Sequence, residues 1–280
     1  MALLAAVISL KPTRPLPEFL GRAAQAWLLD TIRQSDPALA RALHDKGGQD
    51  RRPYTVTVII PRTESEALPW LRLTSLSPEL TSHLEQVFLP HLQGSLILAG
   101  VEIEIVNVTL DAHAHPWAGN SDYELLARAT FDRAASELNQ GFKPRVKLRF
   151  ETPTAFRHHG ILLPLPLPEL VYGSLIRAWN NFSPVMLPLQ MDDFLAQSVA
   201  IARHQIATHG IKMGGDEKVI GFTGSVEYAI LPGKLTLSGD AFQQRVQAMA
   251  LLTEFAFYAG VGIRTTVGMG QLRRDHDERS

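Results

Sequence analysis

The sequence contains no cysteine in its 280 residues. This absence excludes disulfide bonds and thiolate-ligated zinc, and with them the disulfide-rich secreted scaffolds. Proline, glycine or charged residues interrupt every apolar stretch well before it reaches the length needed to cross a bilayer. The apolar start, "MALLAAVISL", has no basic segment before it, so we expect a strand there and not a signal peptide. The sequence predicts a soluble cytoplasmic protein.

The chain also lacks an excess of charge of either sign. It has 27 Lys and Arg residues against 28 Asp and Glu, a formal net charge of −1, with 45% hydrophobic and 20% charged residues. This is the composition of a globular protein with one large domain or two ordinary ones. A near-neutral total neither requires nor excludes a nucleic-acid partner, because such binding depends on where positive charges cluster.

Standard nucleotide-binding loops are absent too. The sequence has no Walker A motif, and its most glycine-rich stretch is "GVGIRTTVGMGQ", residues 260–271. A dinucleotide-binding loop follows a strand and opens a helix, whereas this stretch follows a predicted helix and leads into a strand. We therefore predict no nucleotide cofactor.

Two interpretations of this glycine-rich stretch remain open. It is either a plain connection between a helix and a strand or a segment that contacts phosphates. In the second case Arg264, Thr265 and Thr266 would touch the phosphates, and glycines would let the backbone come close. Those glycines are Gly260, Gly262, Gly268 and Gly270.

The periodicity of apolar residues predicts the same order of elements twice, β-α-β-β-α-β. In the first half the strands are 2–10, 54–60, 68–76 and 101–110, and the helices are 18–33, 35–45 and 77–92. A connecting helix is expected at 121–138. In the second half the strands are 145–150, 202–213, 218–231 and 268–274, and the helices are 168–182, 190–200 and 240–260.

This order predicts an α+β fold of two tandem ferredoxin-like (RRM-like) βαββαβ domains. We place the N-terminal domain at 1–140 and the C-terminal domain at 141–280. In the strand 101–110 the alternation of apolar residues slips by one position after residue 105, which predicts a β-bulge.

The strand "RVKLRF" places Arg145, Lys147 and Arg149 on one sheet face, because side chains alternate along a strand. Such a face suits a phosphate backbone, although an ordinary solvated strand has the same pattern. Arg157 and His158 follow, and we expect His158 and its neighbour His159 to point to different sides and not to form a metal pair. The stretch 111–117, "DAHAHPW", lacks further ligands, so we predict no metal site.

Five segments, in the same order, resemble the CRISPR repeat-processing endoribonucleases of the RAMP superfamily, and the similarity covers essentially the whole chain. They are "LARALHDKGGQDRRPYTVTVI" (39–59), "RFETPTAFRHHG" (149–160), "PLPELVYGSLIRAWNNFSP" (166–184), "GFTGSVEY" (221–228) and the glycine-rich stretch 260–271. The second segment has Glu151-Thr152 where the family commonly has an apolar residue and serine.

The resemblance implies two ferredoxin-like domains that bind CRISPR precursor RNA and cut it within its repeats without a metal. The 2′-hydroxyl next to the scissile phosphate attacks, which gives a 2′,3′-cyclic phosphate and a 5′-hydroxyl. The resemblance places the catalytic histidine at His44, although the dipole also favours a plain surface histidine at a helix C-terminus. Glycine-loop residues, the basic strand, Arg157 and His158 are then candidate RNA contacts.

Two features of the implied site differ from the family pattern. Some members have a tyrosine about fifteen residues before the histidine, where this chain has Leu29. Some also have a lysine shortly after it, for which Lys46, Arg51 and Arg52 are candidates here. An arginine stabilises developing charge but is no acid near neutral pH. We favour Arg51 or Arg52 and leave the choice open.

Two other functions remain as alternatives. Leu29 favours a weakly active or inactive relative that binds repeat RNA as a subunit of a CRISPR effector complex. The near-neutral net charge favours a ferredoxin-like protein that does not bind RNA, such as a small-ligand sensor or an assembly module. Other effector subunits and a second copy of the chain are open as partners.

Overall fold

The computed structural model describes residues 1–45, 51–61, 68–141, 144–214, 217–231 and 239–275. The first-half elements are β1 (Leu3–Pro12), α1 (Gly21–Ser35), α2 (Pro37–Asp45), β2 (Tyr54–Ile59), β3 (Trp70–Ser75), α3 (Pro78–His83), β4 (Ser95–Leu98), β5 (Val101–Thr109), β6 (Gly119–Ser121) and α4 (Tyr123–Asn139). A π-helical turn and a 3₁₀ turn, Leu84–Phe88 and Leu89–His91, continue α3. The second-half elements are β7 (Arg145–Thr154), β8 (Phe156–His158), β9 (Ile161–Leu163), α5 (Pro168–Phe182), α6 (Met191–Ser198), β10 (Val199–Gly214), β11 (Glu217–Ile230), α7 (Gly239–Ala259), a 3₁₀ turn (Thr265–Val267) and β12 (Leu272–Arg274).

The first sheet has the strand order β2-β3-β1-β5-β4, with β6 paired to β1 beside this path. With β1, β2, β3 and β5 counted as strands one to four, the order is two-three-one-four, which is the ferredoxin-like arrangement. β4 and β6 are additions that the apolar periodicity did not predict. They are short, and neither has enough alternating positions for a pattern to be recognised.

The predicted β-bulge is confirmed where β1 pairs with β5. Ser9 lies opposite Asn107 and the next residue, Leu10, lies opposite Ile105, so Val106 is the extra residue. The bulge lets apolar residues on both sides of it keep their orientation, which accounts for the slip in the sequence pattern.

Asp36 caps the start of α2. The Asp36 carboxylate oxygen Oδ1 accepts hydrogen bonds from the amides of Ala38 (3.1 Å) and Leu39 (2.9 Å), with Pro37 in the first position of α2. The buried face of α1 packs on one face of the first sheet and forms the core of this part with Leu4, Ala6, Ile8, Leu20, Ala24, Leu28 and Ile32.

The second sheet has the order β10-β11-β7-β12. With β7, β10, β11 and β12 counted as strands one to four, the order is again two-three-one-four. α7 packs against α5 through an edge-to-face contact of Trp179 with Phe255, whose ring centroids lie 5.0 Å apart. The predicted fold class, two tandem ferredoxin-like domains, is confirmed.

The chain folds into two compact units that are not its two consecutive halves. The first unit contains Met1–Asp122 together with Lys212–Glu217 and Arg264–Met269. The second contains Tyr123–Ile211, Lys218–Ile263 and Gly270–Ser280. The unit boundary at 122/123 differs from the predicted domain boundary at 140/141, because α4 packs with α7 of the second unit. Two segments from the second half of the sequence therefore complete the first unit.

Candidate functional site

His44 is the second-to-last residue of α2, on the side away from the core. Leu39, Ala40 and Leu43 form the buried face of this helix, while the His44 side chain is 73% exposed. Its ring nitrogen Nδ1 lies 3.1 Å from Oδ1 of Asp45. A proton on Nδ1 that is shared with Asp45 leaves the lone pair on Nε2, which is the atom that can exchange protons with a ligand.

Arg52 connects the end of α2 to the beginning of β2. Its Nη2 donates a hydrogen bond to the backbone carbonyl of His44 at 3.0 Å. The guanidinium also lies close enough to the Tyr54 hydroxyl to hydrogen-bond it. Arg51 is half-buried beside it, and Lys46 lies outside the described residues. Among the candidate basic residues, Arg52 thus touches the histidine's own backbone.

Tyr54 connects this cluster to α1. The amide of Gln25 donates to its hydroxyl oxygen over 3.1 Å. Burial raises the pKa of Tyr54 above its usual value, although the hydrogen bond from Gln25 and the charge of Arg52 oppose the rise. The phenol therefore keeps its proton near neutral pH.

Leu29 lies on the same face of α1 as Gln25, one turn further along, and is half-buried against the core. It supplies no hydroxyl. The sequence pattern predicted no role for Gln25 or Tyr54. Tyr54 could have been noticed because it belongs to the resemblance segment 39–59.

The glycine-rich stretch is tightly packed. Gly260, Gly262, Gly268 and Gly270 all have positive φ, as does Arg264. A side chain on Gly262 would place a Cβ 2.3 Å from the carbonyl oxygen of Ala155, so only glycine fits there. Thr265 is buried and Thr266 is half-buried.

Many amides of this stretch already have acceptors within the protein. They are those of Gly260, Val261, Gly262, Ile263, Val267, Met269, Gly270 and Gln271. A bound phosphate would therefore meet mainly the Arg264 side chain and the turn that follows it.

The inner part of the stretch packs against α1 and β2 within the first unit. The Thr57 hydroxyl donates to the carbonyl of Gly268 at 3.2 Å. A Cβ on Gly21 would lie 1.7 Å from the carbonyl oxygen of Val267, so α1 has to begin with glycine. Arg264 thereby joins the compact unit that contains His44, although more than two hundred residues separate them in sequence.

A cluster of two arginines and one carboxylate lies at the start of α1, and we call it the Glu217 cluster. Arg22 Nη2 and Arg264 Nη2 donate to the two carboxylate oxygens of Glu217, Oε2 and Oε1 respectively. The hydrogen bond from Arg264 lowers the pKa of the Glu217 carboxyl below its usual value, and the charge of Arg22 acts in the same direction. The sequence pattern did not predict that Arg22 and Glu217 belong to a site, because they are far apart in the chain and no local motif relates them.

The basic face of β7 is present as predicted, with each cation beside a carboxylate. Arg145 pairs with Glu227, while the Lys147 ammonium lies 3.2 Å from Asp275 and the Arg149 guanidinium 3.4 Å from Glu151. Each of these three cations is therefore already paired within the protein. A nucleic-acid phosphate would have to displace these carboxylates in order to bind the three cations.

Arg157 and His158 are exposed on the β8–β9 hairpin. The expectation that His158 and His159 point to different sides is wrong, since their ring centroids lie 4.2 Å apart. His159 has φ of 47°, and this left-handed turn residue brings the second ring back toward the first.

In the segment 111–117, Oδ1 of Asp111 accepts from the amide of His113 and Nδ1 of His115 accepts from the amide of Trp117, so these groups shape the loop. The described residues contain no group of three or more His, Cys, Asp or Glu side chains arranged to hold a metal ion. None of the described helices is both long enough and apolar enough to span a bilayer.

Two βαββαβ units, with a glycine-rich stretch after the last long helix and an exposed histidine at the end of α2, define a tandem ferredoxin-like protein. The family model for the CRISPR-associated endoribonuclease Cas6 matches residues 148–272. The Cas6 endoribonuclease of Streptococcus thermophilus is 24% identical over 140 residues, which cover 49% of this chain and 52% of that protein. That of Mycobacterium tuberculosis is 30% identical over 132 residues, which cover 46% of this chain and 38% of that protein.

Solved structures match along nearly the whole chain. Cas6 (TTHA0078) in a product complex has a TM-score of 0.76 and 26% identity, covering 99% of this chain and 100% of that one. The same protein in a substrate mimic complex gives 0.73 and 26%, with 98% and 100% covered. Its histidine-to-alanine mutant gives 0.74 and 25%, with 99% and 100% covered. The sequence matches span about half or less of the curated relatives, whereas the structural matches span whole chains. The chain is thus similar to CRISPR-associated Cas6 endoribonucleases in sequence over part of its length and in structure over nearly all of it, which confirms the resemblance.

Proposed function

We propose that this protein is an endoribonuclease that cleaves CRISPR precursor RNA within its repeats and so generates guide RNAs. The observation that carries the proposal is the placement of His44. It is exposed at the end of α2, Asp45 contacts its Nδ1, and Arg52 holds its backbone carbonyl. Arg264 of the glycine-rich stretch belongs to the same compact unit.

We assign the cleavage to attack by the 2′-hydroxyl, which gives a 2′,3′-cyclic phosphate and a 5′-hydroxyl. This reaction needs a base for the nucleophile, an acid for the leaving oxygen and positive charge near the transition state. Nε2 of His44 can take the proton from the 2′-hydroxyl when the ring is neutral, or give one to the leaving group when the ring is protonated. In this mechanism the protein's own side chains perform the proton transfers and no metal is used.

We assign the stabilisation of charge to Arg52. Its guanidinium has five N–H donors, so it can contact a phosphate while one donor stays on the His44 carbonyl. Arg51 and Lys46 remain candidates for the same role. The phenol of Tyr54, held by Gln25, is a second proton-bearing group in this cluster.

For RNA contacts we propose Arg264 together with the turn residues Thr265 and Thr266, and the exposed Arg157 and His158 of the hairpin. Arg145, Lys147 and Arg149 would contribute after exchange with their carboxylates. Gly260, Gly262, Gly268 and Gly270 act by shaping the stretch. Cas6 (TTHA0078) is known in complexes with its product and a substrate mimic, which supports an RNA ligand here.

The test is incubation of the purified protein with a labelled repeat RNA from the CRISPR array of its source organism, in the presence of EDTA. We expect cleavage that leaves a 2′,3′-cyclic end, and no cleavage when the scissile nucleotide is 2′-deoxy. Binding without cleavage would favour the alternative of an RNA-binding effector subunit, since Leu29 removes a hydroxyl from the site. If the protein neither bound nor cleaved the RNA, that result would contradict both proposals.

A further inference from the structure

The Glu217 cluster joins three distant parts of the chain at one point. Arg22 is the second residue of α1, Glu217 is the first residue of β11, and Arg264 comes from the glycine-rich stretch. Each guanidinium takes one oxygen of the same carboxylate. Two guanidinium groups thus converge on one pair of anionic oxygens, and the cluster keeps a net charge of +1.

A pair of arginines around two anionic oxygens is also the geometry that recognises a phosphate. The planar guanidinium fork fits the oxygens of a carboxylate and those of a phosphate equally well, and arginine is the preferred residue for both. The donors that a phosphate would use, Nη2 of Arg22 and Nη2 of Arg264, are the ones that Glu217 now occupies.

All three side chains reach solvent. They are 55%, 41% and 29% exposed for Arg22, Glu217 and Arg264. Exposed ion pairs contribute little net stability, because water competes for both partners and salt screens their attraction. The Glu217 carboxylate can therefore leave the two arginines at small cost, whereas a nucleic-acid phosphate gains by releasing its counterions.

The cluster is close to the proposed catalytic residues along a chain of contacts in the first unit. Arg22 and Gln25 are one turn apart on α1, and Gln25 hydrogen-bonds Tyr54. Arg52 lies against Tyr54 and donates to the carbonyl of His44. A phosphate held by the two arginines would therefore be linked to His44 through side-chain contacts within the first unit.

We propose that Glu217 occupies the position of an RNA backbone phosphate in the free protein, and that a phosphate displaces it and is then held by Arg22 and Arg264. This inference rests on the proposed function for the nature of the ligand. Glu217 acts as an internal competitor: it weakens the binding of any RNA by the cost of its own displacement. Every RNA that places a phosphate at this site bears the same displacement cost.

The test compares Glu217→Gln with the wild type for binding of a repeat RNA that is 2′-deoxy at the scissile nucleotide. Binding is measured by fluorescence anisotropy over a range of salt concentrations. Glutamine keeps the size of the side chain and removes the negative charge. We expect the Glu217→Gln variant to bind the repeat RNA roughly 3- to 10-fold more tightly than the wild type, because one negative charge near the RNA backbone is removed. Its affinity for unrelated RNA of the same length should rise by at least as large a factor.

The two arginines supply the specificity control. In a chain with Arg22→Gln and Arg264→Gln, the added Glu217→Gln change should raise affinity by a clearly smaller factor than in the wild-type background, because the donors for which Glu217 competes are gone. The double arginine variant alone should bind more weakly and lower the slope of log affinity against log salt by up to about 2, or about 1 for each phosphate-binding side chain. Glu104→Gln, which removes an exposed carboxylate paired with Lys11 in the same unit, is the matched control and should leave affinity unchanged.

Three results would overturn the inference. One is a Glu217→Gln variant that melts like the wild type and binds repeat RNA equally or more weakly. Another is the same gain in affinity in the variant that lacks both arginines. The third is absence of RNA binding by both the wild type and Glu217→Gln, which would also overturn the proposed function. Binding by the wild type without a gain in Glu217→Gln would overturn only the inference.

Discussion

The guanidinium of Arg52 donates a hydrogen bond to the backbone carbonyl of His44, eight residues earlier in the chain, with 3.0 Å between Nη2 and the oxygen. The last carbonyls of a helix have no partner within the helix, and a basic side chain is a favourable one. The contact therefore closes the end of α2 at the residue to which we assign proton transfer.

Replacement of His44 by alanine should remove most of the cleavage. We expect the single-turnover rate to fall by about 100-fold or more, the usual contribution of a general acid or base. The affinity for repeat RNA should stay near that of the wild type, because an exposed imidazole contributes little to a large contact surface. Wild-type rates in this variant would contradict the assignment.

Arg52→Ala should slow cleavage roughly 10- to 100-fold, because the transition state would lose a stabilising cation and the end of α2 would no longer hold the imidazole in one position. Arg52→Lys keeps the charge but loses the planar fork, and we expect it to restore only part of the rate. RNA affinity and melting temperature should change little. Arg41→Ala removes an exposed arginine from the same helix and is the matched control. If Arg52→Ala weakened RNA binding without slowing bound-state cleavage, Arg52 would be a binding residue instead.

Gly21→Ala should destabilise the first unit and weaken RNA binding together. The added methyl group would lie 1.7 Å from the Val267 carbonyl, so the turn that precedes Gly268 has to move and Arg264 with it. Overpacking of this kind costs about 1–3 kcal/mol in the free energy of unfolding. Gly239→Ala is the control: Gly239 is also the first residue of its helix, and a Cβ there meets no atom within 4 Å. The test is the midpoint of urea unfolding of the two variants. Equal midpoints would contradict the prediction that a side chain at residue 21 clashes with the Val267 carbonyl.

The free energy of unfolding should fall steeply at alkaline pH. Burial raises the pKa of Tyr123, Tyr172 and Tyr228 above the ordinary value of 10.0. Above that pH the unfolded chain releases protons that the folded chain retains. The stability from these phenols is complete below pH 10 and is lost as the pH rises toward the folded values. Each contributes a slope of about 1.4 kcal/mol per pH unit in that window.

Tyr123→Phe isolates one of these phenols. The wild type should lose stability as the pH rises from ~10 to ~12, and the variant should lose less over the same interval, as measured by the urea midpoint at each pH. Parallel curves of urea midpoint against pH for the two proteins would contradict the prediction, because they would show that Tyr123 loses its proton as readily in the folded protein as in the unfolded chain.

The fold could be predicted from the sequence because its signals are local. Alternating residues, the cap at Asp36 with Pro37 and the slip at Val106 each lie within one element. β6 and the β8–β9 hairpin have three residues a strand, which is too short for a period to be recognised.

The candidate site was predicted in part. His44 and Arg52 lie in one resemblance segment and meet in the structure. Arg22, Glu217 and Arg264 are brought together only by tertiary packing, so no window of the sequence contains their relationship. The same holds for Gly21, whose need to be glycine comes from the Val267 carbonyl.

The first compact unit takes in residues 212–217 and 264–269 in addition to 1–122. A polypeptide that ended at residue 140 would retain His44 and Arg52 but would lack Val267, Glu217 and Arg264. The residues to which we assign cleavage and phosphate binding therefore cannot be separated by cutting the chain between its two βαββαβ halves. Two fragments made by splitting the chain between these halves should be active only when they reassociate. A frameshift late in the gene should impair the same compact unit as a substitution near the start of the gene.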